Sequence, residues 1–126
     1  MVQKQVFKKQ NLYYVWPVLC AGLTLLILWL SLMPVDSIPS VGLGWDKLNH
    51  AAAIAAVTFL AFRTFKSHRW AVRAAFLYGI SLGGLIEVFQ AIFTNTRSAE
   101  WGDLLADLIG AGSVCCLLFV VQRKWE

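Results

Sequence analysis

The chain has few charged residues. Asp, Glu, Lys and Arg make up 14% of its 126 residues, against about 25% in soluble domains. A soluble domain of this length exposes much of its surface and needs more charged side chains to cover it. Hydrophobic residues make up 59%, against about 45–50% in soluble proteins. This composition argues against a soluble globular domain and against disorder, and it predicts a single integral membrane domain over residues 1–126.

Cysteine and known catalytic motifs are also scarce. Cys20, Cys115 and Cys116 all lie in apolar runs, where cysteine behaves as a small hydrophobic residue. They predict neither a disulfide framework nor a metal site. The sequence has no HExxH or GxSxG motif and no recognised ligand spacing. We therefore expect no cofactor and assign no metal, although the carboxylates and the His50 imidazole described below could together hold a divalent cation.

Four apolar runs are long enough to cross a membrane. They cover about residues 15–33, 48–65, 74–93 and 104–121, and a transmembrane helix needs about 17–25 residues. Helices satisfy their own backbone hydrogen bonds in lipid, and the runs lack the alternation of barrel strands. The first run is longer than the core of a secretory signal and has no cleavage site, so we expect it to be retained. The sequence predicts an all-α fold, a bundle of four transmembrane helices.

The basic residues predict how this bundle is oriented. Nine of the eleven Lys and Arg residues precede the first run, lie at the end of the second run or between the second and third, or follow the fourth. Only Lys47 and Arg97 lie on the other side. Because Lys and Arg are concentrated in cytoplasmic segments, both termini should be cytoplasmic. This rule and attraction to anionic lipids explain the basic loop at residues 63–73, so we expect no nucleic acid partner.

Polar residues that could do chemistry are concentrated at the opposite, outward-facing ends of the predicted helices. Three pairs spaced three or four residues apart each share a helix face, and two basic residues join them. An ionisable group inside a membrane span is costly and is by default a candidate functional residue. The candidate outward polar site consists of Asp46, Lys47, His50, Glu87, Gln90, Arg97, Asp103 and Asp107.

The first two pairs have both functional and structural interpretations. Asp46 could orient or charge His50, or it could only cap a helix. Glu87 could serve a ligand, or it could form a hydrogen-bonded clasp between helices. Gly79 and Gly83 precede Glu87 at steps of four and form a face for close helix contact. This spacing predicts that Glu87 faces the bundle interior and not lipid.

The remaining members are equally open to two interpretations. Helix capping explains Asp103, but it does not explain Asp107, which lies one turn deeper. Arg97 could clamp an incoming phosphate or carboxylate, and Lys47 could share that role. Both could instead be counter-ions in an internal network, because buried acids need partners.

Three short segments resemble the VanZ-like family of membrane proteins. They are WDKLNH at residues 45–50, GLIEVFQ at residues 84–90, and Arg97 followed by DLLADLIG at residues 103–110. The resemblance covers about residues 31–114, and the family most often has Asn at the position of Asp107. It implies a small multi-pass protein of the bacterial cytoplasmic (inner) membrane. Some family members are associated with glycopeptide resistance, notably to teicoplanin, and no established reaction comes with the family.

These observations favour a non-catalytic protein that binds a cell-envelope lipid or wall precursor at the outward site, with a link to teicoplanin resistance as a further hypothesis. The alternative is an intramembrane enzyme acting on a lipid-linked envelope intermediate. In it, His50 with Asp46 would be nucleophile or base, Glu87 a general acid and Arg97 an anion clamp. A proton-linked transporter that uses Glu87 and Asp107 ranks last, because four spans leave a narrow pore without oligomers. The expected partners are the bilayer and such a precursor, and a homo-oligomer is left open.

Overall fold

A computed structural model describes residues 2–34, 46–95 and 100–123, and within these ranges it contains four α-helices and no strand. The helices are α1 (Val2–Leu32), α2 (Asp46–Phe65), α3 (Ala71–Phe93) and α4 (Trp101–Arg123). Side chains are described from residue 13 to residue 122 within the same ranges. The predicted all-α fold with four long helices is confirmed.

The helix ends agree with the predicted spans to within three residues, except at the start of α1. The first apolar run begins at residue 15, whereas α1 begins at Val2. Residues 2–14 contain neither glycine nor proline, so no residue in this polar segment interrupts the helix. Hydropathy marks the part of a helix that suits lipid, and it does not mark where the helix itself begins.

All four helices are suited to cross a membrane by their length and composition. The apolar segments are Tyr13–Leu32, Asp46–Phe65, Ala71–Phe93 and Trp101–Gln122, and no more than 33% of any of them is buried inside the bundle. Many large hydrophobic side chains, such as Leu25, Ile92 and Leu117, therefore point outward. An exposed apolar surface of this extent requires an apolar medium. The chain is a multi-pass membrane protein.

Small residues allow α2, α3 and α4 to approach one another closely. A Cβ atom at Gly79 of α3 would collide with the Thr58 hydroxyl of α2. A Cβ at Gly110 of α4 would collide with the backbone carbonyl oxygen of Ala51 in α2. The contact at Gly79 confirms the predicted face for close helix contact on α3, and Gly110 adds a second close contact on α4.

The two ends of the bundle differ in charge. At one end, where α2 leads into α3, the Arg63 guanidinium lies 4.0 Å from the centre of the Trp16 ring of α1, and Lys66, Arg69 and Arg73 follow in the sequence. At the other end, Lys47 at the start of α2 pairs with acids at the start of α4. The bundle therefore separates a basic end from an end that is rich in carboxylates.

Candidate functional site

Three ionisable side chains meet inside the carboxylate-rich end of the bundle. Neighbouring helices run in opposite directions, so the start of α2, the end of α3 and the start of α4 lie at the same end. His50, Glu87 and Asp107 come from these three helices, and each offers one nitrogen or oxygen atom within 4.8 Å of those of the other two. We refer to these three residues as the buried cluster.

Asp107 is the most deeply buried member of the cluster. Its exposed fraction is 0%, and a Cβ at Gly83 of α3 would collide with its carboxylate. Its Oδ1 atom lies 3.6 Å from Nδ1 of His50, which is too long for a hydrogen bond. Neither Oδ1 nor Oδ2 has a hydrogen-bond partner within the described residues. A carboxylate in this position carries a large desolvation cost that the described contacts do not offset.

Glu87 is also buried, with an exposed fraction of 8%, so the prediction that it faces the bundle interior is confirmed. Its Oε2 atom accepts a hydrogen bond of 3.0 Å from the backbone N–H of Glu100, just before α4 begins. Backbone N–H groups at a helix start have no partner within the helix. Its Oε1 atom is buried and has no partner among the described residues. One oxygen of Glu87 thus joins α3 to the residue that precedes α4.

Gln90 joins α3 to α1. Its described hydrogen bond is with α1 and not with a residue of the buried cluster. Its Nε2 atom donates to the backbone carbonyl of Ser31 at 3.2 Å. That carbonyl belongs to the last turn of α1, where backbone oxygens lack a partner within the helix. The side chain is 2% exposed. Gln90 is therefore a structural contact between helices.

Lys47 is a counter-ion for two acids at the start of α4. Its Nζ atom lies 2.9 Å from Oε2 of Glu100 and 3.2 Å from Oδ1 of Asp103. The lysine side chain passes over Gly102, where a Cβ would lie only 2.7 Å from Nζ. Of the two roles considered for Lys47, these contacts match the internal network.

Glu100 takes part in the site although the sequence did not single it out. Its backbone N–H binds Glu87 and its carboxylate binds Lys47. The sequence signal that could have indicated this role is the position of Glu100 three residues before Asp103. That spacing allows both acids to face Lys47. Arg97, the other basic residue of the predicted site, lies outside the residues that the structure describes.

His50 has acids on two sides. Asp46, His50 and Asp103 also offer ligand atoms within 4.8 Å of one another, so the predicted proximity of Asp46 and His50 is present. Asp46 is exposed, whereas Asp103 is buried. Among the described contacts, however, the carboxylate closest to a His50 ring nitrogen is that of Asp107 on another helix. Helix packing therefore brings a second carboxylate to His50, in addition to the one placed there by the spacing of four residues within α2.

A cavity of about 270 Å³ lies beside His50, between α1 and α2. Its polar lining residues include Asp46 and His50, and its apolar lining residues include Ile27 of α1, Ile54 of α2 and Ile86 of α3. The volume lies just below the usual range for ligand pockets, about 300–1,000 Å³. His50 lines this cavity and also belongs to the buried cluster, so it connects the two.

Comparisons of the chain with protein-family models, curated proteins and solved structures gave no match. The chemistry that the site can perform therefore has to follow from its own geometry. Its described groups are mainly hydrogen-bond acceptors, because Lys47 is already paired with Glu100 and Asp103. The arrangement can receive a cation or the hydrogen-bond donors of a ligand.

Proposed function

We propose that the chain is a VanZ-like protein of the bacterial cytoplasmic membrane whose polar site faces outward and binds a lipid-linked cell-envelope precursor. The observation that carries this proposal is the cavity beside His50, which is lined by carboxylate and imidazole groups and also by isoleucine side chains. A site of this kind suits an amphiphile, which needs polar contacts for its headgroup and apolar contacts for its chain.

The charge difference between the two ends supports the orientation. Arg63, Lys66, Arg69 and Arg73 are at the end of the bundle opposite the buried cluster. Under the positive-inside rule this basic end is cytoplasmic. Both termini are then cytoplasmic, and the buried cluster lies toward the outer surface of the membrane.

The acceptor-rich chemistry of the site indicates which part of a precursor binds there. The cavity is lined by Asp46 and His50 and by no described Lys or Arg, which suits the hydroxyl and amide groups of a sugar-peptide headgroup better than a bare phosphate. The cavity of about 270 Å³ accommodates part of such a headgroup. The remainder of the lipid would lie against the apolar surface of α1 and α2.

Binding can be tested with the full chain in lipid nanodiscs. The probes are a polyprenyl diphosphate that carries a disaccharide pentapeptide, the same polyprenyl phosphate without sugar, and phosphatidylglycerol. We expect saturable binding of the first probe and at least about tenfold weaker binding of the others, which corresponds to about 1.4 kcal/mol. Equal binding of all three probes, or no saturable binding, would contradict the proposal.

A matched pair of variants in α2 locates the binding site. Ala53 lines the cavity, whereas Ala56 is exposed and does not. Ala53→Leu fills part of the cavity and is expected to weaken binding of the headgroup probe at least about tenfold, while Ala56→Leu leaves it unchanged. Because neither substitution alters a charge, the result reports the cavity itself. Equal effects of the two substitutions would place the binding elsewhere.

The proposed link to glycopeptide resistance has a direct test in cells. A protein that holds a wall precursor at the outer surface competes for the target of the drug. Production of the chain is then expected to lower the sensitivity of the cells to teicoplanin, and production of Ala53→Leu is not. If the unaltered chain and Ala53→Leu had the same effect on sensitivity, resistance would not depend on the cavity.

An intramembrane enzyme is the second candidate, and the position of His50 beside Asp107 favours it. A carboxylate 3.6 Å from an imidazole nitrogen resembles the arrangement that orients a general base. In this candidate, Glu87 is the general acid and Arg97 holds the anionic group. Turnover of a lipid-linked envelope intermediate should then fall at least about 100-fold in His50→Ala and in Glu87→Gln. Unchanged turnover in both variants would contradict catalysis.

A further inference from the structure

The buried cluster has more negative charge than its described contacts offset. Three carboxylate oxygens, Oε1 of Glu87 and both oxygens of Asp107, are buried without a hydrogen-bond partner among the described residues. Lys47 is the described lysine at this end, and it is bound to Glu100 and Asp103. In a membrane protein such a deficit calls for a proton or a cation.

The spacing of the cluster fits a cation better than it fits a hydrogen-bonded network. The 3.6 Å between Nδ1 of His50 and Oδ1 of Asp107 exceeds the usual hydrogen-bond length. It is close to the separation of two ligand atoms on one tetrahedral zinc ion, about 3.4 Å for bonds of about 2.1 Å. The atom that Glu87 offers lies within 4.8 Å of the other two, so a small contraction would complete a set of three ligands.

We propose that His50, Glu87 and Asp107 bind a divalent transition-metal ion, with zinc as the best match. One imidazole nitrogen and two carboxylate oxygens are typical zinc ligands, whereas calcium and magnesium prefer oxygen alone. Two carboxylates and a divalent ion sum to zero charge, which removes the electrostatic deficit. The inference stands on this geometry and goes beyond the proposed function.

Two features make the cluster a better metal site than its neighbour. Gly83 packs against the Asp107 carboxylate and keeps it in place, so less order has to be gained on binding. In the neighbouring group formed by Asp46, His50 and Asp103, the Asp103 carboxylate is already neutralised by Lys47. Three protein ligands leave a fourth coordination position open, and His50 places the ion next to the cavity.

The test uses the full chain purified in detergent, stripped with a chelator and reloaded with zinc chloride alone. We expect one zinc ion per chain by elemental analysis, and visible absorption bands of a tetrahedral ion when cobalt replaces zinc. Asp107→Asn and Glu87→Gln keep the side-chain shapes and should weaken zinc binding more than about 100-fold, since even an outer partner of a metal ligand contributes about 10–100-fold.

His68→Ala provides the matched control for His50→Ala. The chain has two histidines, and His68 is exposed at the basic end, where its ring stacks on Trp70. His68→Ala should bind zinc as the unaltered chain does, and His50→Ala should not. Zinc should also raise the midpoint of thermal unfolding of the unaltered chain and leave that of Asp107→Asn unchanged.

Two results would overturn the proposal. One is a folded unaltered chain that takes up neither zinc nor cobalt, and the other is full uptake by Asp107→Asn and Glu87→Gln together. If Arg97 neutralises the carboxylates instead, the unaltered chain binds no metal and Arg97→Gln lowers its stability. No lipid probe is used, so the chain could fail to bind zinc while its cavity still binds the precursor. It could equally bind zinc while the cavity binds no precursor.

Discussion

Gly83 of α3 packs directly on the carboxylate of Asp107 in α4, so that a Cβ atom at position 83 would lie 2.9 Å from Cγ of Asp107. This contact sets how closely α3 and α4 approach at the buried cluster. It also leaves the Asp107 side chain no space on that side. The glycine that lets the helices pack therefore also positions the acid.

Gly83→Ala is expected to destabilise the protein, because the added methyl group must displace Asp107 or separate the helices. The cost of such overpacking is about 1–3 kcal/mol. Gly84→Ala is the matched control, since a Cβ at Gly84 meets nothing within 4 Å and alanine favours the helix. Thermal unfolding in detergent should give a lower midpoint for Gly83→Ala and an equal or higher one for Gly84→Ala. The same midpoint for both variants would show that the contact does not limit packing.

Substitutions of Glu87 should distinguish the contributions of its two carboxylate oxygens to stability. Glu87→Gln keeps an acceptor for the Glu100 N–H and removes an uncompensated charge, so without metal its stability should equal or exceed that of the unaltered chain. Glu87→Ala leaves that N–H without its partner and should cost about 1–3 kcal/mol. Unfolding midpoints in the presence of a chelator measure both effects. A large loss in Glu87→Gln would show that the carboxylate charge is needed for folding.

Lys47 should be coupled more strongly to Asp103 than to Glu100, although the Glu100 contact is shorter. The Asp103 side chain is 7% exposed and that of Glu100 is 57% exposed, and water screens exposed ion pairs. Double-mutant cycles with Lys47→Ala, Asp103→Asn and Glu100→Gln give the two coupling energies. The larger value is expected for Asp103. Equal couplings would show that both pairs are screened alike.

The proposed orientation predicts which positions an impermeant thiol reagent can reach. Ser67, in the α2–α3 turn, and Asn95, after α3, are both exposed and lie at opposite ends of the bundle. In a background with Cys20, Cys115 and Cys116 replaced by alanine, Asn95→Cys should be labelled in intact cells. Ser67→Cys should be labelled only after the membrane is opened. The opposite pattern would place the buried cluster on the cytoplasmic side.

The sequence predicted the spans and the inward position of Glu87 because both depend on patterns within one helix. Apolar length identifies a membrane span, and glycines at steps of four identify the face that packs. The polar start of α1 carries no such pattern, so its beginning at Val2 was missed. Helix formation there does not depend on the hydropathy that was used to find the spans.

Contacts between helices could not be predicted in the same way. The sequence paired His50 with Asp46 because they are four residues apart, whereas the structure adds Asp107 from α4. It left open whether Lys47 meets an incoming anion or the protein's own acids, and the contacts with Glu100 and Asp103 resolve this. Both outcomes depend on how α2 and α4 rotate against each other. The relative rotation of two helices cannot be deduced from a single sequence.

The cavity beside His50 is lined by residues of α1, α2 and α3 and by no described residue of α4. Under the proposed function and orientation, a lipid would enter this cavity sideways from the outer leaflet, and its hydrocarbon tail would never leave the membrane. Only the headgroup would change its surroundings, so the work of extracting a long polyprenyl chain from the bilayer would not arise.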